Sequence, residues 1–73
     1  MPDTTMIRAA RNARRTVRIT FHRSDETLSV AVVHGDQVHR PLAGGLRDEA
    51  LADRFAAHYA SAVGLDVSRL DIP

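Results

Sequence analysis

Arg8, Arg11, Arg14, Arg15 and Arg18 follow one another within a short stretch near the N-terminus. The planar guanidinium fork matches phosphate oxygens two at a time, so such a cluster suits the backbone of a nucleic acid. On a helix Arg8, Arg11 and Arg15 fall at i, i+3 and i+7 and share one stripe. Thr20 and His22 follow Arg18 at period two, and on a strand these three share a face. A polar sheet face of that kind can lie in a groove and touch base edges. The candidate nucleic-acid-binding residues are therefore Arg8, Arg11, Arg14, Arg15, Arg18, Thr20 and His22. No aromatic residue falls on that face, which argues against a stacking platform for single strands.

Charge is divided along the chain. Met1 to Ser24 holds six arginines and one acid, while Asp25 to Pro73 holds four arginines and eight acids. The formal net charge of +1 hides this asymmetry. Two surfaces made for each other would leave the same imprint as a basic arm for a polyanion. All ten basic residues are arginine. The absence of lysine extends into the acidic part, which fits a compositional bias better than selection for phosphate contacts.

Other chemistry finds little support. His22, His34, His39 and His58 are scattered; His34 and His39 flank one turn but lack a third ligand of defined geometry. No metal or cofactor is expected. There is no nucleophile motif, no phosphate-cradling glycine loop and no spaced pair of acids, so no catalytic residue and no enzyme are expected. Gly44-Gly45 precedes a helix, but Asp48 and Glu49 in its first turn oppose an anion there. No small-molecule substrate is expected.

With 73 residues and no cysteine, the chain reads as one domain without disulfide support. It has neither an apolar signal-peptide core nor a run long enough to span a bilayer. The expectation is a cytoplasmic protein with no membrane contact.

The elements that must position the arginines are an arm or short helix, three strands and a helix. Residues 1–15 read as a basic N-terminal arm, helical from Met6 to about Arg15, and residues 16–73 as the folded domain. Thr16 to His22 alternates with Val17, Ile19 and Phe21 on one side. A four-residue loop leads to Thr27–Val33, with Leu28, Val30 and Val32 facing the same way. The hairpin thereby pairs Phe21 with Leu28, Ile19 with Val30 and Val17 with Val32. Gly35-Asp36 suits a two-residue type II′ turn. Apolar phase instead favours a longer loop or bulge that puts Val38 and Leu42 on the core side. The third strand then runs about Gln37 to Leu42, and Pro41 makes it an edge. A helix follows from Leu46 or Arg47 to Val63, with Leu51, Phe55, Tyr59 and Ala62 as its apolar stripe. Gly64 ends it, Leu65 folds back, and Asp66 to Pro73 is a tail.

The predicted fold class is α+β in the order α-β-β-β-α: a short helix or arm, a three-stranded antiparallel sheet, and one long C-terminal helix packed on it. The predicted core is Val17, Ile19, Phe21, Leu28, Val30, Val32, Leu42, Leu51, Phe55, Tyr59 and Leu65.

That order, with Thr27–Val33, the turn at Gly35, Gly44-Gly45 and an alanine-bearing last helix, resembles double-stranded-RNA-binding domains in outline. The likeness implies phosphate contacts at the start of the last helix, where this chain has Arg47-Asp48-Glu49 instead of a basic cluster. Three strands followed by a helix also resemble the arm-type DNA-binding modules of phage integrases. That likeness implies a sheet face in the major groove, bearing Arg18, Thr20 and His22.

The expected function is a small nucleic-acid-associated protein whose arginine cluster contacts the phosphates of DNA or RNA. The alternative is a non-catalytic interaction module, a homodimer or a regulator or inhibitor of a larger partner. It would act through charge complementarity and the sheet edge or face.

Overall fold

The computed structural model describes residues 15–73. Of the helix expected from Met6 to about Arg15, the part with Arg8, Arg11 and Arg14 lies outside the described residues, and Arg15 begins a strand instead. Four strands and one helix follow in the order β1 (Arg15–His22), β2 (Thr27–His34), β3 (Gln37–Leu46), α1 (Glu49–Val63) and β4 (Asp66–Ile72). The sheet order is β3-β2-β1-β4. β1 and β2, and β2 and β3, are antiparallel, whereas β4 runs parallel to β1. The α+β class stands. The three-stranded antiparallel sheet does not, because the segment expected as a tail is a fourth strand that makes the sheet mixed. The helix is therefore not the last element but the crossover between the two edge strands. Both outline resemblances depended on the sheet ending before that helix, and the fourth strand removes them.

The β1–β2 hairpin has the expected register, with Val17 opposite Val32, Ile19 opposite Val30 and Phe21 opposite Leu28. Its loop is closed by Asp25, whose Oδ1 accepts from the Thr27 N–H at 3.2 Å and the Thr27 hydroxyl at 2.7 Å. The next turn is the tight one that apolar phase had argued against. His34 pairs with Gln37 and Val33 with Val38 around Gly35-Asp36. Only Gly35 of the two central residues has a positive φ, 64°, as a type II′ turn requires. Val38 consequently stands on the face away from the helix and is 64% exposed. The register then shifts so that Val32 faces Arg40. His39 is the extra residue of this bulge, and the shift, rather than a longer loop, resets the phase. β3 also continues past Leu42 through Gly44-Gly45 to Leu46, with two further shifts, one that leaves Leu42 unpaired and one near Gly45 at φ 66°.

α1 starts at Glu49, later than expected. Asp48 is its N-cap, accepting from the Leu51 N–H at 3.2 Å. Gly64 ends it in the left-handed region at φ 73°, and the Leu65 N–H donates to the Ala60 carbonyl at 2.9 Å. The helix presents Ala52, Ala56 and Ala60 to the sheet, all buried. Leu51 and Phe55, expected in the core, are 47% and 40% exposed. The buried stripe is thus displaced by one residue, about 100° around the axis. The branched side chains Val17, Ile19, Val30 and Val32 and the leucine Leu28 already fill the layer, and alanine lets the helix backbone come close to them. Phe21, Leu42, Leu46, Tyr59 and Leu65 pack around that cluster.

Candidate anion-binding cleft

Strand alternation divides the candidate site. Val17 and Ile19 pack beneath α1, so Arg15 lies on the helix side of β1. Arg18, Thr20 and His22 lie on the opposite face. One flat surface cannot present all four, and the structure does not bring them together.

On the outer face the polar groups largely satisfy one another. Arg18 Nη2 donates to the Gly35 carbonyl at 3.2 Å. His22 Nε2 lies 2.9 Å from Ser29 Oγ, and Thr16 Oγ1 lies 2.9 Å from Ser68 Oγ across to β4. The last contact reveals that β4 completes this face, which the three-strand reading missed. Each side chain is half-buried, and Arg18 is held back along the sheet toward the β2–β3 turn. The Thr27 hydroxyl holds the Asp25 carboxyl below the usual carboxylate range, and His22 acts in the same direction.

The helix side differs. At the end of the sheet where β1 begins and α1 stops, a cleft of about 250 Å³ is lined by Arg15, Val32, His39, Arg40, Tyr59, Val63 and Leu65. Register explains the gathering. Val32 is opposite Val17 on one side and Arg40 on the other, so β1 and β3 send arginines to the same face across β2. The bulge brings His39 in beside Arg40. Tyr59 and Val63 arrive from α1, and Leu65 from the turn into β4.

The cleft therefore has an apolar wall of Val32, Val63 and Leu65 and a polar rim of two guanidiniums, an imidazole and a phenol. No described carboxylate lines it. Among the described residues, neither arginine side chain has an ion-pair or hydrogen-bond partner, and the same holds for the Tyr59 hydroxyl. The ion pairs in the described part instead involve Arg69, which meets Glu49 at 2.6 Å and Asp71 at 3.5 Å. The Glu49 carboxylate holds the Arg69 guanidinium in its charged form.

Arg40 and Tyr59 were not among the residues singled out for function, and His39 was weighed only as a metal ligand beside His34. Arg40 sits in a strand whose phase the bulge changes, and Tyr59 has the spacing of a core residue. Among the described residues no three His, Asp or Glu side chains converge to hold a metal. No helix there is long and apolar enough to cross a membrane. Set against protein-family models, curated proteins and solved structures, the chain matches none of them.

Proposed function

We propose that the domain is a binding module for the phosphate backbone of a nucleic acid and that the cleft between β1, β3 and the end of α1 is its anchoring site. The observation that carries this reading is the convergence of Arg15 and Arg40 on one cleft that, among the described residues, holds no carboxylate and gives neither side chain a partner. Guanidiniums that two strands of one sheet bring to the same cleft can each offer a planar fork of donors to a phosphate. The arginine-rich sequence immediately before Arg15 supports an extended polyanion over an isolated small anion. The outer face contributes less than the sequence suggests, because Arg18 and His22 are already engaged. The role is non-catalytic, in the cytoplasmic setting that the composition favours.

Fluorescence anisotropy with labelled duplex and single-stranded DNA and RNA tests the reading. Binding at low salt is expected, with log affinity falling linearly against log salt. Arg15→Gln and Arg40→Gln should each lower the magnitude of that slope by about one. No binding at low salt to any of these probes, or a double variant with unchanged affinity and slope, overturns it.

A further inference from the structure

β4 leaves a regular strand at one edge of the sheet. It pairs with β1 over seven consecutive residues without a bulge, from Thr16 opposite Asp66 to His22 opposite Ile72. The Arg23 N–H donates to the Ile72 carbonyl at 3.0 Å, so the backbone polar groups of Ile72 point toward β1. Backbone direction alternates along a strand. Those of Ser68 and Leu70 therefore also point toward β1, and those of Val67, Arg69 and Asp71 point out of the sheet. Among the described residues no backbone group meets them. The other edge is a poorer template, because β3 carries Pro41, register shifts and Gly45 in the left-handed region.

We propose that this edge pairs antiparallel with β4 of a second copy about a twofold axis at Leu70. Only outward-pointing residues can exchange hydrogen bonds across a new ladder, which restricts the symmetric choices to a few registers. Centring on Arg69 sets two arginines opposite each other, and centring on Asp71 sets two carboxylates opposite each other; like charges directly opposite are unfavourable. Centring on Leu70 puts Arg69 of each copy opposite Asp71 of the other, both in hydrogen-bonded positions. It also places Leu70 against its own copy on the outer face, where it is otherwise 41% exposed. Charged side chains on an edge strand normally discourage addition. Here their order is complementary to itself. The axis stands perpendicular to the sheet, so both copies of α1 lie on one side of it. The pairing depends on none of the cleft residues.

Two short strands bury less than the roughly 1,200 Å² typical of stable interfaces, so a reversible, concentration-dependent dimer is expected. The chain has no cysteine, which makes single-cysteine cross-linking clean. Residues opposite each other in a non-hydrogen-bonded pair have Cα atoms about 4.5 Å apart, within reach of a disulfide. Leu70→Cys should therefore oxidise readily to a covalent dimer. Ser68→Cys, whose two copies would sit roughly 13 Å apart along the strands, should not cross-link with itself but should do so when mixed with Ile72→Cys. In sedimentation, Asp71→Arg should abolish the dimer and Arg69→Asp combined with Asp71→Arg should restore it, with circular dichroism confirming that each variant is folded. A disulfide yield for Leu70→Cys no higher than for Ser68→Cys alone overturns the proposal. So does a dimer indifferent to both charge variants.

Discussion

Arg15 and Arg40 open onto the same cleft from strands that do not touch, β1 and β3, with Val32 of β2 between them. Three residues further along β1, Arg18 stands on the opposite face and donates to the Gly35 carbonyl. The arginine cluster is therefore sorted by strand alternation into residues with different environments. Proximity in sequence and a shared charge do not make them one surface. The side that gathers Arg15 and Arg40 is also the side that α1 and the β4 turn wall with apolar groups.

The helix–sheet spacing rests on small side chains. Ala56 is fully buried against the sheet, so Ala56→Leu must push α1 outward or force its neighbours off their rotamers. A loss of about 1–3 kcal/mol is expected from urea denaturation. Phe55→Ala, at a half-exposed position, should cost less, the reverse of the order that the helical hydrophobic pattern alone predicts.

Gly64 tests the helix end. A Cβ there would meet no atom within 4 Å, but its φ is 73°. Gly64→Ala should therefore destabilise by about 1–2 kcal/mol through backbone conformation alone. Gly44 has equally open surroundings and is not left-handed. Gly44→Ala should be neutral or stabilise slightly. Paired thermal melts read the contrast.

Asp25 carries a small pH dependence of known sign. The Thr27 hydroxyl and, more weakly, His22 hold its carboxyl below the unfolded value, which is about 3.9. The unfolded state therefore takes up the proton first as pH falls. The contribution is present above about pH 4 and is lost as pH drops through the folded value. Carboxyl carbon NMR should show Asp25 titrating lower than a free aspartate, and Thr27→Val should move it back up.

The parts of the fold legible in the sequence are those where two signals agree. Val17, Ile19 and Phe21 alternate against Leu28, Val30 and Val32 through a loop of the right length, and the observed register is the expected one. The helix face was obscured because alanine carries little hydrophobic weight beside Leu51 and Phe55, although geometry favours the smaller residue against a full sheet. β4 was obscured for another reason. Val67 falls on the opposite face from Leu70 and Ile72, so this exposed edge strand, held by backbone bonds to β1, shows an apolar alternation of only two residues. The cleft shares that cause. A one-residue bulge at His39 sends Arg40 to the helix side, and nothing in the composition of β3 marks where the bulge falls. Arg15 was legible as a candidate but not its separation from Arg18, which follows once β1 is seen to begin at Arg15 rather than after it.

The measurement closest to the central claim is a titration of the isotopically labelled protein with a short duplex oligonucleotide at low salt, followed through arginine side-chain and backbone resonances. The largest changes are expected at Arg15, His39, Arg40 and Tyr59, with Arg18 and Ser29 nearly still. Changes confined to the outer face around Thr20, His22 and Ser29, or no change at any described residue, would contradict the assignment of the cleft as the phosphate-binding site.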